Sequence, residues 1–204
     1  MPLVTFFSAP KPFIDPHIAT IQRNAINSWT LLPDVEVILL GEEIGLAEAA
    51  RELGVKHISN VARNANGTPL ISSMFQLARE NSNSDLLCII NADILLMPDF
   101  VEAVNMVMAL ESDSLLSKKR EQGSVPHNFV LLSQRWDLNV IQPIEFTNGW
   151  QDRLSSIVNR QGTLHRPAGS DFFLFPLSSF LEVPDFAIGR AGWDNWMIYK
   201  ARKE

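Results

Sequence analysis

Cysteine is almost missing from this chain: Cys88 is the only one among 204 residues, so no internal disulfide can form and a reducing, cytoplasmic setting is the expectation. It stands inside an apolar run, where a small buried hydrophobe is expected rather than a nucleophile. Positive charge is also scarce. Lys and Arg total 17 against 23 Asp and Glu, a formal net charge of −6, which argues against nucleic acid held by a broad positive field. The basic cluster Ser117-Lys118-Lys119-Arg120 reads as a solvated loop or helix end. No apolar run approaches the roughly 18 residues of a membrane span. The opening Met1-Pro2-Leu3-Val4-Thr5-Phe6-Phe7 carries no basic segment and meets proline at once, so no secretory signal is expected. No Gly-x-Gly-x-x-Gly follows the first strand-like run, which excludes the dinucleotide fingerprint of nicotinamide-dependent dehydrogenases. Repeats, low-complexity tracts and linkers are lacking too.

What is present is an ordinary globular balance, 46% apolar and 20% charged residues, at a length that suits one α/β domain with a substantial core. Leu3-Val4-Thr5-Phe6-Phe7 reads as a buried first strand, ended by Ser8-Ala9-Pro10-Lys11-Pro12. Asp15 before Pro16 is a helix start, with Asp as N-cap and proline at the first helical position. Ile18, Ile21, Ala25 and Trp29 then share one face at helical spacing. Val35 to Leu40 is a second strand, Leu46 to Leu53 a short helix closed by Gly54, and Val55 to Ile58 a brief third strand. A polar loop carrying Arg63, Asn64, Asn66 and Gly67 leads to Pro69 and a helix that turns Ile71, Met74, Phe75 and Ala78 inward. After the strand Leu86 to Ile90, Pro98-Asp99 opens a helix that buries Phe100, Val101, Val104 and Met108. This alternation predicts a mostly parallel sheet with helices on both faces. Beyond about residue 112 the rhythm becomes mixed. Strands are expected at Phe129 to Leu132 and Asp171 to Phe175, and helices from Trp150 to Arg160 and from Trp193 onward after the turn Gly189-Arg190-Ala191-Gly192. The whole chain, 1–204, is read as one domain with halves of about 1–112 and 113–204.

The most informative feature is an apolar run, Leu86-Leu87-Cys88-Ile89-Ile90, that stops at Asn91-Ala92-Asp93 before Ile94-Leu95-Leu96 resumes it. A carboxylate in such surroundings costs several kcal/mol unless it is exposed at a strand end or bound to a cation. Ligands of open α/β sheets gather beyond the carboxyl ends of parallel strands, so Asp93 reads as a divalent-metal ligand with Asn91 beside it; alternatively both are turn residues that satisfy local backbone groups. Other polar groups also stand where strands end: Ser8 to Lys11, Glu42 or Glu43, and Asp171 after Gly169-Ser170. Asp194 sits on a glycine-bearing turn that opens a helix. Acids at several strand ends suit a cation and a hydroxyl-rich ligand sharing one cleft.

This order of strand, proline-bearing loop, strand and acid, Asn/Gly loop, apolar strand, Asx-x-Asp and later Gly-Trp-Asp resembles the nucleotide-sugar glycosyltransferases of the GT-A class, the family 2-like members most closely. The resemblance implies a Rossmann-like nucleotide-diphospho-sugar transferase (GT-A) fold. It also implies a metal-dependent enzyme that moves a sugar from a nucleoside-diphosphate donor to an acceptor hydroxyl. Pro10 and Glu42 would line the nucleoside pocket, with Glu43 the competing choice, and Asn64 and Gly67 would lie on the loop that closes over the base. Asp93 would hold Mn²⁺ or Mg²⁺ on the diphosphate, with Asn91 in the place of the first acid. Asp194 would deprotonate the acceptor, as the base does in inverting members.

Structural readings stand beside each of these roles. Asp194 can serve as an N-cap, Asp171 as a sugar-hydroxyl ligand or a turn residue, and Trp193 as a sugar-stacking indole or a core residue. Lys11 and Arg190 could face phosphates or simply solvent. Two departures from the pattern matter. Asn91 is neutral, which removes one charge from the metal site, and no histidine follows Asp194, where many members place a further ligand; His165 or His127 could substitute. The chain is therefore expected to be a piece of a longer enzyme. The rival readings are a non-catalytic nucleotide- or sugar-binding domain and, less favoured, a sugar-phosphate nucleotidyltransferase, whose glycine-rich triphosphate loop has no counterpart at Ser8 to Pro12. Donor and acceptor are the expected partners, with no nucleic acid.

Overall fold

The computed structural model describes residues 1–113, 129–167 and 169–203; the cluster Ser117 to Arg120 and His127 lie outside them. Strands β1 (Val4–Ser8), β2 (Val35–Leu40), β3 (Lys56–Ile58) and β4 (Leu86–Ile90) alternate with helices α1 (Pro16–Thr30), α2 (Leu46–Leu53) and α3 (Ile71–Asn81), and α4 (Asp99–Asp113) follows β4. A two-residue strand β5 (Trp136–Asp137) pairs antiparallel with β6 (Thr163–Leu164) around α5 (Trp150–Gln161). The chain then forms β7 (Phe172–Pro176) and α6 (Trp193–Lys203). The main sheet runs β3-β2-β1-β4-β7, parallel throughout except for β7, which pairs antiparallel with β4.

Both faces of this sheet are covered, because β4 and β7 are wholly apolar, β1 and β2 mostly so, and successive residues point to opposite sides. Phe6, Leu39, Cys88 and Leu174 join one core with Trp29 of α1, Ala50 of α2 and Val104 of α4. Phe7, Ile38, Ile89 and Phe173 join a second core with Phe75 of α3 and Met197 of α6. Aromatic rings knit the second core, with Phe75 stacked on Phe175 at 5.3 Å and Phe180 edge-on to Phe175 at 5.2 Å. The expected Rossmann-like α/β architecture with a mixed C-terminal half is therefore present.

Local signals explain most element ends. The Asp15 carboxylate accepts from the backbone N–H of His17 and of Ile18, both at 2.9 Å, and Pro16 occupies the first position of α1. Gly54 closes α2 at φ 67°, in the left-handed conformation open to glycine.

Two expectations are corrected. Phe129 to Leu132 is not a strand: Leu131 alone bridges Leu174, through two backbone hydrogen bonds of 2.9 Å on the outer edge of β7. The inward face of α1 is also rotated. Ala25 and Trp29 are buried as expected, yet Ile18 and Ile21 are only half-buried, while Gln22, Asn24 and Ile26 turn in. The buried amides are satisfied. Gln22 accepts from the Lys11 N–H at 2.6 Å and donates to the Lys11 carbonyl at 3.0 Å, so a polar side chain takes an inward position that periodicity assigns to the surface.

Candidate functional site

The strand order reverses at β1, whose sequence neighbour β2 lies on one side and β4 on the other. The carboxyl ends of β1 and β4 therefore form the switch point where open α/β sheets bind ligands. Ser8, the last residue of β1, ties these ends together by donating its hydroxyl to the Ile90 carbonyl at 2.6 Å. Just beyond, Asn91 to Ile94 makes a turn closed by a 3.2 Å bond from the Ile94 N–H to the Asn91 carbonyl. This turn is pinned to α1: the Trp29 indole donates to the Ile94 carbonyl at 2.8 Å, and the Leu96 N–H donates to the Ser28 hydroxyl at 3.1 Å. Asp93 rides on it, exposed, its carboxylate without a hydrogen bond to any other described residue.

Asp93 opens into a cleft of about 870 Å³ walled by α1, the start of α4, the segment 131–140 and α5. The antiparallel sense of β7 brings Asp171, just before that strand, beside Asn91. The Asn91 N–H donates to the Asp171 carbonyl at 2.9 Å, and its Nδ2 donates to Asp171 Oδ1 at 3.2 Å. Of the residues singled out in the sequence, Asn91, Asp93 and Asp171 meet here.

Arg135, not anticipated from the sequence, completes the floor. It donates Nη1 to Asp171 Oδ1 at 2.6 Å and Nε to Asp137 Oδ1 at 2.7 Å. Its Nη2 lies 3.1 Å from His165 Nδ1, and that imidazole nitrogen also stands 2.7 Å from Asp137 Oδ2. Its hydrogen bonds to Asp171 and then to Asp137 hold the Arg135 guanidinium protonated well above its ordinary range. The same contact with Arg135, followed by that with His165, lowers Asp137 below the usual carboxylate value. Gly169 sits against this cluster: a Cβ there would come within 3.0 Å of His165 Cδ2. Among the described residues lining the cleft, four aspartates (Asp93, Asp99, Asp137 and Asp171) face the one arginine.

The remaining expected residues stand elsewhere. Arg63 binds Glu43 at 2.9 Å and Glu42 at 3.3 Å and donates to the Gly67 carbonyl at 2.7 Å, so one guanidinium joins the end of β2 to the 63–68 loop. Glu43 is the less exposed partner, half-buried with Oε2 enclosed and unpaired; Glu42 is 68% exposed. Gly41, at φ 123°, leaves room for that carboxylate, since a Cβ would fall 2.1 Å from Glu43 Oε2. Asn64 Oδ1 accepts from the N–H groups of Asn66 and Thr68, both at 3.0 Å, and Gly67 turns at φ 75°. Pro10 is buried at the end of β1. Asp194, in the first turn of α6, accepts from the neighbouring Asn195 N–H at 2.8 Å and does not line the cleft. Trp193 packs edge-on to Phe173 with centroids 5.5 Å apart, against the second core.

Among the described residues, no group of three or more His, Cys, Asp and Glu could hold a metal ion unaided. The donor set fits a cation that arrives with a ligand: one free carboxylate on Asp93 and the amide oxygen of Asn91 leave most positions to phosphate oxygens and water, as Mg²⁺ prefers. No described helix is long and apolar enough to cross a membrane.

No family model matches the chain, and no curated protein does. Among solved structures, CMP:2-keto-3-deoxy-manno-octonic acid synthetase complexed with CTP is similar at 14% identity, over 91% of this chain and 80% of that one, with a TM-score of 0.45. Glucosyl-3-phosphoglycerate synthase from Mycobacterium tuberculosis, with Mg²⁺ and UDP, is similar at 18% identity, over 50% of this chain and 37% of that one, with a TM-score of 0.35. S. aureus TarS 1-349 is similar at 9% identity, over 54% of this chain and 33% of that one, with a TM-score of 0.38. Against these two the matched part spans about a third of their length. At such scores the likeness decides nothing about activity, and the fold assignment rests on the strand order itself.

Proposed function

We propose that the chain is a nucleotide-sugar-dependent glycosyltransferase of the GT-A class, with Asp93 as its ligand for a donor-borne divalent cation. The observation that carries this reading is an unpaired carboxylate, fixed by Trp29 and Ser28 at the β1/β4 switch point, in a cleft where aspartates outnumber cations. A naked pyrophosphate would be repelled there, whereas one neutralised by Mn²⁺ or Mg²⁺ would be held. The cation would supply Lewis-acid stabilisation to the departing nucleoside diphosphate. Asn91 would orient that group through its amide oxygen. Asp171, immobilised by Arg135 and Asn91, would accept hydrogen bonds from sugar hydroxyls. On the family resemblance, Glu42, Pro10, Asn64 and Gly67 belong to the nucleoside side; Glu42 is the exposed acid there, and Glu43 braces the loop through Arg63.

Asp194 is proposed as the general base on that resemblance alone. The Asp194→Asn variant is then expected to lose about 10²–10⁴-fold in kcat with donor binding unchanged; full activity would remove it from the mechanism.

The metal assignment has a direct test. UDP, GDP and CDP are added with and without Mn²⁺ and the melting temperature followed, since a ligand at 100 times its Kd stabilises by about 2.7 kcal/mol. One nucleotide is expected to raise the melting temperature only with Mn²⁺, and Asp93→Ala to abolish that shift. An unchanged shift in Asp93→Ala would overturn the assignment. The neutral Asn91, which removes one charge from the cation site, favours a second reading, a nucleotide-binding domain without turnover; that domain would show the shift but release no nucleoside diphosphate from any nucleotide sugar.

A further inference from the structure

The cleft around Asp93 shares a wall with a second hollow. Leu138, Asn139, Val140 and Leu154 line both, and the second, of about 300 Å³, lies between the segment 138–145 and α5. Its surface is mainly apolar, with Ile141, Ile144, Trp150 and Ile157 added beside Glu145 and Arg153, and Ile141 is 62% exposed.

The segment 138–145 has no regular secondary structure, yet it is fixed in place. Asn24, 4% exposed in α1, donates Nδ2 to the Gln142 carbonyl at 3.0 Å and accepts from the Ile144 N–H at 2.9 Å. At its end, Arg153 of α5 donates to the Glu145 carbonyl at 3.0 Å and to the Asn148 carbonyl at 2.9 Å. A buried amide that satisfies two backbone groups at once makes this stretch a rigid wall with an apolar inner side.

A rigid, mainly apolar groove beside a polar cleft suits a ligand with a polar end and an apolar body. Charge selects the polar end. Among its described lining residues the cleft presents four aspartates and one arginine, and Arg135 is already bound to two of those aspartates. An anionic head would meet uncompensated negative potential, whereas hydroxyls meet carboxylate acceptors.

We propose that this groove holds the apolar body of an uncharged, hydroxyl-bearing amphiphile, a glycoside with an alkyl or aryl aglycone, whose hydroxyl end reaches the cleft beside Asp171. That this amphiphile is the acceptor rests on the transferase reading; that it binds does not.

The test uses the full chain without donor or metal. Octyl β-D-glucoside, kept below its critical micelle concentration, is titrated in while amide NMR shifts are followed. Saturable shifts over 138–145 and 150–157 are expected, with octyl phosphate binding at least about tenfold more weakly. Ile141→Asp, at an exposed position, is expected to weaken glucoside binding at least about tenfold, and Ile157→Asp provides an independent second variant. Shifts outside the groove, equal or tighter binding of octyl phosphate, or undiminished binding by both groove variants would overturn the proposal. Glucoside binding in a chain that never takes a nucleotide would refute the transferase reading while this one stands; nucleotide binding without glucoside binding would do the reverse.

Discussion

Arg135 holds both Asp171 and Asp137, and removing it leaves Asp171, only 11% exposed at its side chain, with the Asn91 amide as its remaining partner in this cluster. Arg135→Ala is therefore expected to cost about 1–3 kcal/mol in urea unfolding at neutral pH, the range for a partly buried charged group deprived of a hydrogen bond. The pH dependence has a fixed sign. Asp137 is depressed below its unfolded value, so its stabilisation is fully present above the ordinary carboxylate range and is lost as pH falls through the lowered folded value. The stability gap between the wild type and Asp137→Asn should accordingly close on acidification; a gap that widened would contradict the ion-pair geometry. Asn91, Asp93 and Asp171 are readable in the sequence because each interrupts or flanks a wholly apolar run. Arg135 and Asp137 are not, because they lie at a two-residue strand, where no periodicity marks which face a side chain takes; His165 is readable only as a spare ligand and not as their partner.

At the scale of elements, the cap of α1 is a local signal that the sequence states outright, whereas α2, α3 and α5 begin without a side-chain cap. Asp15 satisfies two backbone donors at the start of α1, the helix whose Trp29 and Ser28 anchor the Asp93 turn. Asp15→Ala is expected to lose about 1 kcal/mol in chemical denaturation, and Asp15→Ser to recover most of it. An equal loss in both variants would show that charge rather than cap geometry matters. Hydrophobic periodicity located α3 and α4 with their inward residues, since nothing competes with apolar packing on those faces. It misplaced the face of α1, because Gln22 and Asn24 are drawn inward by backbone groups of other segments that no local pattern reveals. It also took Phe129 to Leu132 for a strand. Apolar residues there pack against the first core, but only Leu131 finds a ladder partner, and apolar composition alone does not distinguish these outcomes.

Across the whole molecule, the sheet is shared by two apolar layers, and residues of β1, β2, β4 and β7 alternate between them one by one. Neither layer can lose its strands without exposing the other, so the two are expected to unfold as one unit, the single-domain reading expressed as thermodynamics. Thiol chemistry can test this. Cys88 is fully buried in the layer beneath α1 and α4, and burial pushes its thiol pKa well up, so it should be inert while the chain is folded. A second thiol introduced as Ala78→Cys, in a Cys88→Ala background, reports on the opposite layer beneath α3. Pulsed labelling across a urea series should give the same midpoint for each thiol when compared with the fluorescence midpoint of its own variant. A separation in which one layer becomes labelled while fluorescence still reports a folded chain would divide the molecule into two units. The cleft, whose Asn91 and Asp171 belong to the shared β4–β7 seam, would then be assembled from both.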